Sequence, residues 1–289
     1  MEDDGDVLAQ LNSQNVNQLL RMLENYLPQS IVIQNWIRKH QEWESKVPEM
    51  EFKVLSPRAK VSSGCVAICI CSGVAAKQYG VVFATEENSD LLKQCLSETK
   101  LIHWEEFTHF TGVLECHATI MSAVLGSKGF KNTDAQISQS FLLQIPIERA
   151  LKQKPKMLPD GFVIGSVDLS HFPEAINIWD GYRRTTMKMF ELNISTGVFR
   201  VHEDGRKELV AMSVQAEYGG VSILQTAPHF QQQGFGTSVL TDITSKMAKQ
   251  GIHPHGHVLK DNFQSLGLFK KCGYDIVGKS FWIFIEKND

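Results

Sequence analysis

The sequence has no run of about 18 apolar residues, which argues against a transmembrane helix and a membrane partner. It lacks a basic, apolar leader as well. The chain opens Met1-Glu2-Asp3-Asp4-Gly5-Asp6, unlike a secretory signal or an Arg-rich presequence, and Asp3–Asp6 reads as a solvated terminus. Charge of one sign is scarce. With 29 basic and 32 acidic residues the net charge is −3, so nothing points to nucleic acid as the main partner. Cysteine is sparse and follows no disulfide-scaffold spacing: Cys65, Cys69, Cys71, Cys95, Cys116 and Cys272. Cys69 and Cys71 fall inside the apolar run Val66–Cys71, where a thiol packs as a small hydrophobe; reduced thiols in the cytoplasm are expected. No repeat of fixed period, low-complexity tract, P-loop lysine or Rossmann start occurs, and Ser63-Gly64 and Ser72-Gly73 lack the G-x-S-x-G elbow of hydrolases.

What remains is a chain of 289 residues, 43% hydrophobic and 21% charged, enough for two domains of ordinary size. Apolar spacings of three and four predict an amphipathic helix over residues 6–27, stopped by Pro28, and a second over 30–44. Strands are expected at 52–55, 65–71, 79–84 and 141–147, with helices at 90–97 and 112–125. The basic, proline-interrupted stretch from Arg149 to Gly161 breaks both periodicities and reads as a linker. Domains are therefore expected at 1–155 and 156–289. In the second, strands are expected at 162–167, 197–202, 208–215, 219–226 and 255–259, with a last pair at 274–277 and 281–285. Helices are expected within 171–192 and at 237–250 and 262–272. The fold class is α+β (mixed α/β), a mostly antiparallel sheet flanked by helices. The five tryptophans, Trp36, Trp43, Trp104, Trp179 and Trp282, read as core residues.

The run from Gly219 to Thr237 is the most informative. A β stretch ends at Thr226, Pro228 prevents its continuation, and a turn with Gly234 and Gly236 leads into a helix with Val239, Leu240, Ile243 and Met247 on one face. Glycine permits positive φ and close approach of a ligand. The first amides of a helix lack intrahelical partners and sit at the positive end of its dipole, which makes an anion site without a lysine.

The order Gln231-x-x-Gly234-x-Gly236 after a strand and a proline resembles the Q/R-x-x-G-x-G/A signature of the GCN5-related N-acetyltransferase (GNAT) superfamily. Further on, the run from Asn262 to Tyr274 resembles its second signature, N-x-x-[AS]-x-x-L-[YF]-x-x-x-G-[FY]. A narrower resemblance, to the glycine N-acyltransferase-like branch, rests on Leu19–Leu27 with Pro28 and Ser30, on Ile102-His103-Trp104 and on Trp179-Asp180-Gly181. It implies two tandem GNAT-like domains. The first, degenerate, lacks a glycine-rich cofactor turn, Gly126–Gly129 being the nearest; the second is catalytic. It also leaves a mitochondrial location open beside the cytoplasmic one.

The resemblance implies an N-acyltransferase that moves an acetyl or other acyl group from acyl-CoA to the amine of a small molecule or amino acid, by direct attack in a ternary complex. The pantetheine arm would lie on backbone groups of Leu224, Gln225 and Thr226. The pyrophosphate would sit on amides of Gln231, Gln232, Gln233, Gly234, Phe235, Gly236 and Thr237, with Asn262 contacting the cofactor from the next helix. A backbone N–H near Leu224 or Gln225 would stabilise the oxyanion. Phe269, a further cofactor contact implied by the resemblance, stands where many relatives place a tyrosine, and Gly220 where the glycine-conjugating relatives place a glutamate. His253, His255 and His257 alternate, yet Pro254 and Gly256 disturb the strand and no cysteine is close, so no metal is expected. His257 is the candidate base, since an imidazole titrates near pH 7. The alternative is a catalytically silent acyl-CoA-binding or regulatory protein, which Phe269 and Gly220 favour.

Overall fold

The computed structural model describes residues 5–57, 65–74, 77–131, 137–179 and 184–286. The chain forms two compact units, Met1–Phe141 with Val277–Asp289, and Leu142–Ile276. The boundary expected at 155/156 lies inside the second unit, and Asp180 and Gly181 of the tryptophan motif lie outside the described residues.

The first unit contains strands β1 (Leu8–Gln10), β2 (Glu51–Pro57), β3 (Val66–Ser72), β4 (Gln78–Ala84) and β5 (Phe107–Leu114). Its helices are α1 (Ser13–Leu23), α2 (Ile31–Glu44), α3 (Ser89–Glu98) and α4 (Glu115–Ser127). β1 to β4 pair antiparallel in sequence order, and β5 joins β4 in parallel after α3. The last strand of the chain, β12 (Asp275–Phe284), runs antiparallel to β5, with Ser280 opposite Leu114 and Phe284 opposite His109. One strand therefore replaces the expected pair at 274–277 and 281–285.

Two further expectations fail here for local reasons. Residues 6–12 are not helical. The Asp6 carboxylate accepts from the Leu8 and Lys100 amides and the Thr99 hydroxyl, which holds Leu8–Gln10 extended against β2. Asn12 then starts α1 by accepting from the Asn15 amide at 2.9 Å. Asp6 is thus a buried anchor, not a solvated acid, while Asp3 and Asp4 lie outside the described residues. The helix expected from Gly112 starts at Glu115, because Phe107–Leu114 has a strand partner on each edge, β4 and β12, and tertiary pairing overrides the helical spacing.

The second unit repeats this plan. β7 (Phe162–Gly165), β8 (Ser195–Val201), β9 (Lys207–Gln215) and β10 (Val221–Thr226) pair antiparallel in order. β11 (His255–Leu259) joins β10 in parallel, after α8 (Phe235–Lys249). The end of β6 (Ile137–Gln144), from Leu142, lies beside β11. Helices α5 (Ile147–Ala150), α6 (Phe172–Ile178), α7 (Arg184–Leu192) and α9 (Phe263–Lys271) complete the unit. The stretch expected as a linker is tied into this unit: Arg149 donates to the Gly273 carbonyl and the Asp275 carboxylate, and Gln153 donates to the Cys272 carbonyl. All six cysteines are free thiols and only Cys116 is exposed. Among the described residues no helix is long and apolar enough to cross a membrane.

The first unit buries a histidine. His40 stacks on Trp36 at 3.7 Å between ring centroids, donates from Nδ1 to the Trp36 carbonyl and accepts from the Tyr79 hydroxyl at 3.2 Å. Burial pushes its pKa down to about 3. In the unfolded chain the ring takes a proton below about pH 6.5, so between 6.5 and 3 the unfolded state binds the extra proton and stability falls as pH drops. Denaturant titrations at pH 7 and pH 5 should show a loss of roughly 2 kcal/mol from this group. His40→Phe should lower stability at both values but remove that part of the pH slope; an unchanged slope would show that the ring is not the source.

Candidate functional site

The site begins with a divergence of strands. β10 and β11 share one registered pair, Val221 with Gly256. On its other edge β10 slips register against β9, where Ser222 faces Val214 but Gln225 faces Met212. Two residues of β10 thus oppose Ser213 alone, a β-bulge, which bends a strand and increases its twist. Ile223, inside the bulge, has φ 49°, a left-handed value that β-branched residues rarely take. Its side chain is buried, and the Ser213 hydroxyl donates to the Ser222 carbonyl at 2.8 Å beside it. Beyond Val221, the edge of Leu224, Gln225 and Thr226 lines a cleft of about 340 Å³.

The far end of the cleft is the turn into α8. Pro228 begins a single 3-10 turn, and Gln231 closes the loop by donating to the Thr226 carbonyl at 3.3 Å. Gln232 (φ 60°) and Gly234 (φ 90°) both take left-handed conformations, and Gly234 caps α8. Ser238 makes the first helical bond, to the Gly234 carbonyl at 3.1 Å. The amides of Phe235, Gly236 and Thr237 therefore have no acceptor within α8. The Phe235 ring is buried with Val198, Val210, Ala211 and Val239, which fixes the helix start on the sheet. Gly236 permits close packing of α8 on α9: a Cβ there would lie 3.3 Å from Leu268 Cδ2 and 3.6 Å from Thr226 Oγ1.

The opposite wall comes from α9, through Asn262, Gln264, Ser265, Leu268 and Lys271. Asn262 also caps that helix, accepting from the Ser265 amide at 3.0 Å. Among the described residues no carboxylate lines the cleft.

Gly256 separates two environments on β11. His255 and His257 share one face, with ring centroids 5.7 Å apart, and the Tyr218 ring packs 6.0 Å and 5.3 Å from them. Burial pushes His255 down to about 4 and His257 well below the ordinary imidazole value, so both are neutral at pH 7. His255 Nδ1 lies 3.3 Å from the His253 carbonyl and carries the proton, leaving Nε2 as the acceptor nitrogen. Gly220 is packed against this group: a Cβ there would lie 2.6 Å from Tyr218 Cε2 and 2.8 Å from His255 Nε2. A side chain at 220 would have to displace a ring. On the other face, a Cβ on Gly256 would lie 2.8 Å from Phe269 Cε1. The Tyr274 hydroxyl is buried and bonded to Thr244 Oγ1 at 2.6 Å, so it is held in the core.

Of the expected site residues, Leu224, Gln225, Thr226, Gln231, Gln232, Gly234, Gly236, Thr237 and Asn262 line the one cleft. Gln233, Phe235 and Phe269 do not. Gln233 donates to the His229 carbonyl, Phe235 is in the core, and the Phe269 ring packs on Gly256 and Tyr274. His257 lies one residue past the last β10–β11 pair, half-buried and outside the lining set. Sequence reasoning missed Gln264, Leu268 and Lys271, although their spacings of four and three mark one face of α9. It also missed Lys156, whose Nζ would lie 3.7 Å from a Cβ on Gly234.

The packing of Phe269 on Gly256 yields a stability test. Gly256→Ala should lower stability by about 1–3 kcal/mol, the usual range for overpacking, as read by denaturant unfolding. Adding Phe269→Leu should recover part of that loss; strict additivity of the two changes would refute the contact.

Comparison with known proteins adds an independent line. Residues 195–283 match the family model described as FR47-like protein, and residues 7–125 match a domain of unknown function, DUF5645. No curated protein matches the sequence. A Drosophila protein of known X-ray structure is similar at 19% identity and TM-score 0.84, over 99% of this chain and 100% of that one. A tandem GNAT protein from the clavulanic acid biosynthesis pathway is similar at 11% identity and TM-score 0.55, over 98% and 99% of the two chains. A GCN5-related N-acetyltransferase from Kribbella flavida is similar at 14% identity and TM-score 0.52, over 78% and 90%. At these identities the likeness is one of fold. The chain therefore has the GCN5-related N-acetyltransferase fold in two tandem units, and the match to the FR47-like model falls on the second unit up to Ile276 and on the last strand beyond it.

Proposed function

We propose that the protein is an acyl-CoA-dependent N-acyltransferase of the glycine N-acyltransferase-like kind, acting on the amine of a small molecule or amino acid. The observation that carries this reading is the cleft that opens where β10 leaves β11 and ends on the free amides of α8. Its two parts fit the two parts of coenzyme A. The edge groups of Leu224, Gln225 and Thr226 offer strand-like hydrogen bonds to a pantetheine amide. The left-handed Gly234 and the dipole of α8 offer a seat for a diphosphate, and no carboxylate on the lining opposes it.

The chemistry needs little more from the protein. The amine nitrogen attacks the thioester carbonyl, a C–N bond forms, the C–S bond breaks, and the amine gives up a proton. A thiol with a pKa of about 8.5 is a tolerable leaving group, which suits a site where Phe269 supplies no acid and Tyr274 is committed to Thr244. A preorganised N–H in the bulge, near Leu224 or Gln225, would stabilise the oxyanion by about 3–4 kcal/mol. His257 is the proposed proton acceptor, because it is neutral and is the first β11 residue beyond the Val221–Gly256 pair. The first unit would bind no cofactor of its own. At the start of its α3 stand Glu86, Glu87 and Asp90, which repel a phosphate.

Calorimetric titration should give one CoA per chain. Gly234→Val, which forces a β-branched residue to φ 90°, should weaken CoA about tenfold or more. Unchanged affinity in that variant would remove the turn from the site. His257→Ala should lower kcat, spare CoA affinity and abolish an acid limb lying below pH 6.5, since burial lowers the ring's pKa. Equal, small losses in His255→Ala and His257→Ala would assign the proton to water instead.

A further inference from the structure

Residues 149–158 have little regular structure, yet they are fastened at both ends. At the start, Arg149 donates to the Gly273 carbonyl at 2.6 Å and to Asp275 Oδ2 at 2.7 Å, and Gln153 donates to the Cys272 carbonyl. At the end, Leu158 packs against the cluster of Val198, Val210, Phe235 and Val239 that seats α8, beside Leu224. Pro155 stiffens the span between them by fixing its own φ. The residue after it, Lys156, reaches the turn: its Nζ and Cδ would lie 3.7 and 4.0 Å from a Cβ on Gly234. Lys156 is exposed and, among the described residues, has no carboxylate partner.

We propose that residues 149–158 act as a strap that delivers Lys156 to the diphosphate of coenzyme A, as a binding residue beside the backbone amides of the Gly234 turn. The inference rests on the reading of the cleft as a coenzyme A site and adds a side chain to it. A helix start offers about half a positive charge. An ammonium at its edge adds a full one and donates charge-assisted hydrogen bonds to phosphate oxygens. Because the strap is anchored on the turn after α9 and on the α8 core, less chain entropy is lost on binding than for a lysine on a free tail. The fastenings also explain why a stretch with the composition of a linker is folded onto the second unit.

The test uses the full chain titrated with three probes: CoA, dephospho-CoA, which lacks the 3′-phosphate, and pantetheine, which lacks every phosphate. Lys156→Met should weaken CoA and dephospho-CoA alike by about tenfold, leave pantetheine unchanged and flatten the salt dependence of CoA binding. Lys156→Arg should restore most of the loss. Arg149→Met, which releases one anchor without touching the turn, should show the same pattern at smaller size. Binding of CoA by Lys156→Met within twofold of wild type, with equal salt dependence, would overturn the proposal and leave the coenzyme A site standing. A loss confined to CoA and absent with dephospho-CoA would also overturn it, by moving the contact to the 3′-phosphate. Failure of the unaltered protein to bind CoA would remove the underlying reading, and this inference with it.

Discussion

The site depends on two parallel strands parting after a single pair. A parallel ladder normally continues, since each further residue gains a hydrogen bond and excludes water. Here continuation is blocked on both sides. β10 bends at the bulge holding Ile223 in a left-handed conformation, and β11 carries Gly256 against the Phe269 ring. A residue held in such a conformation costs about 1–3 kcal/mol. Burial of an isoleucine side chain contributes about 1.5–3 kcal/mol, enough to keep Ile223 where it is. The strain is thus local and offset locally, and it leaves the β10 edge open at Leu224–Thr226.

The two units show how little separates an open cleft from a packed core. Both run four antiparallel strands and then a parallel one reached through a helix. In the first unit β4 and β5 keep three registered pairs, and Gly80 is covered by Phe107 and Phe110, whose rings stack at 4.5 Å. The helix that follows β4 starts among acids, Glu86, Glu87 and Asp90. In the second unit the corresponding helix starts after Gly234, with no acid in its first turn. The first unit thus sets stacked rings over this strand pair and acids at the following helix, and the second unit does neither.

Much of this was legible in the sequence, and unevenly so. The turn was readable because its signals are local: Pro228 ends a strand, Gly234 and Gly236 permit positive φ and close packing, and Val239, Ile243 and Met247 mark the helix behind them. Asn262 was readable through the second signature, while its capping of α9 comes from the structure. β1 and β5 were not, since Leu8–Gln10 is held by an acid whose partners, Thr99 and Lys100, lie some 90 residues away, and Phe107–Leu114 is a strand only because two edges receive it. Lys156 was hidden for a third reason. Its place follows from Arg149 and Gln153 reaching the turn after α9 and Leu158 reaching the core beneath α8, and no spacing in the sequence encodes such a convergence.

The histidine face bears on the proposal that an amine is acylated at this cleft. A carboxylate at position 220 would attract an ammonium ion and then have to take its proton. With glycine there, the space belongs to His255 and Tyr218, and the neighbouring His257 is also neutral. Burial disfavours a charge on these rings, which lie outside the residues that line the cleft. For the proposed acyl transfer the attacking amine must be neutral, and its proton need be held only transiently while the C–N bond forms.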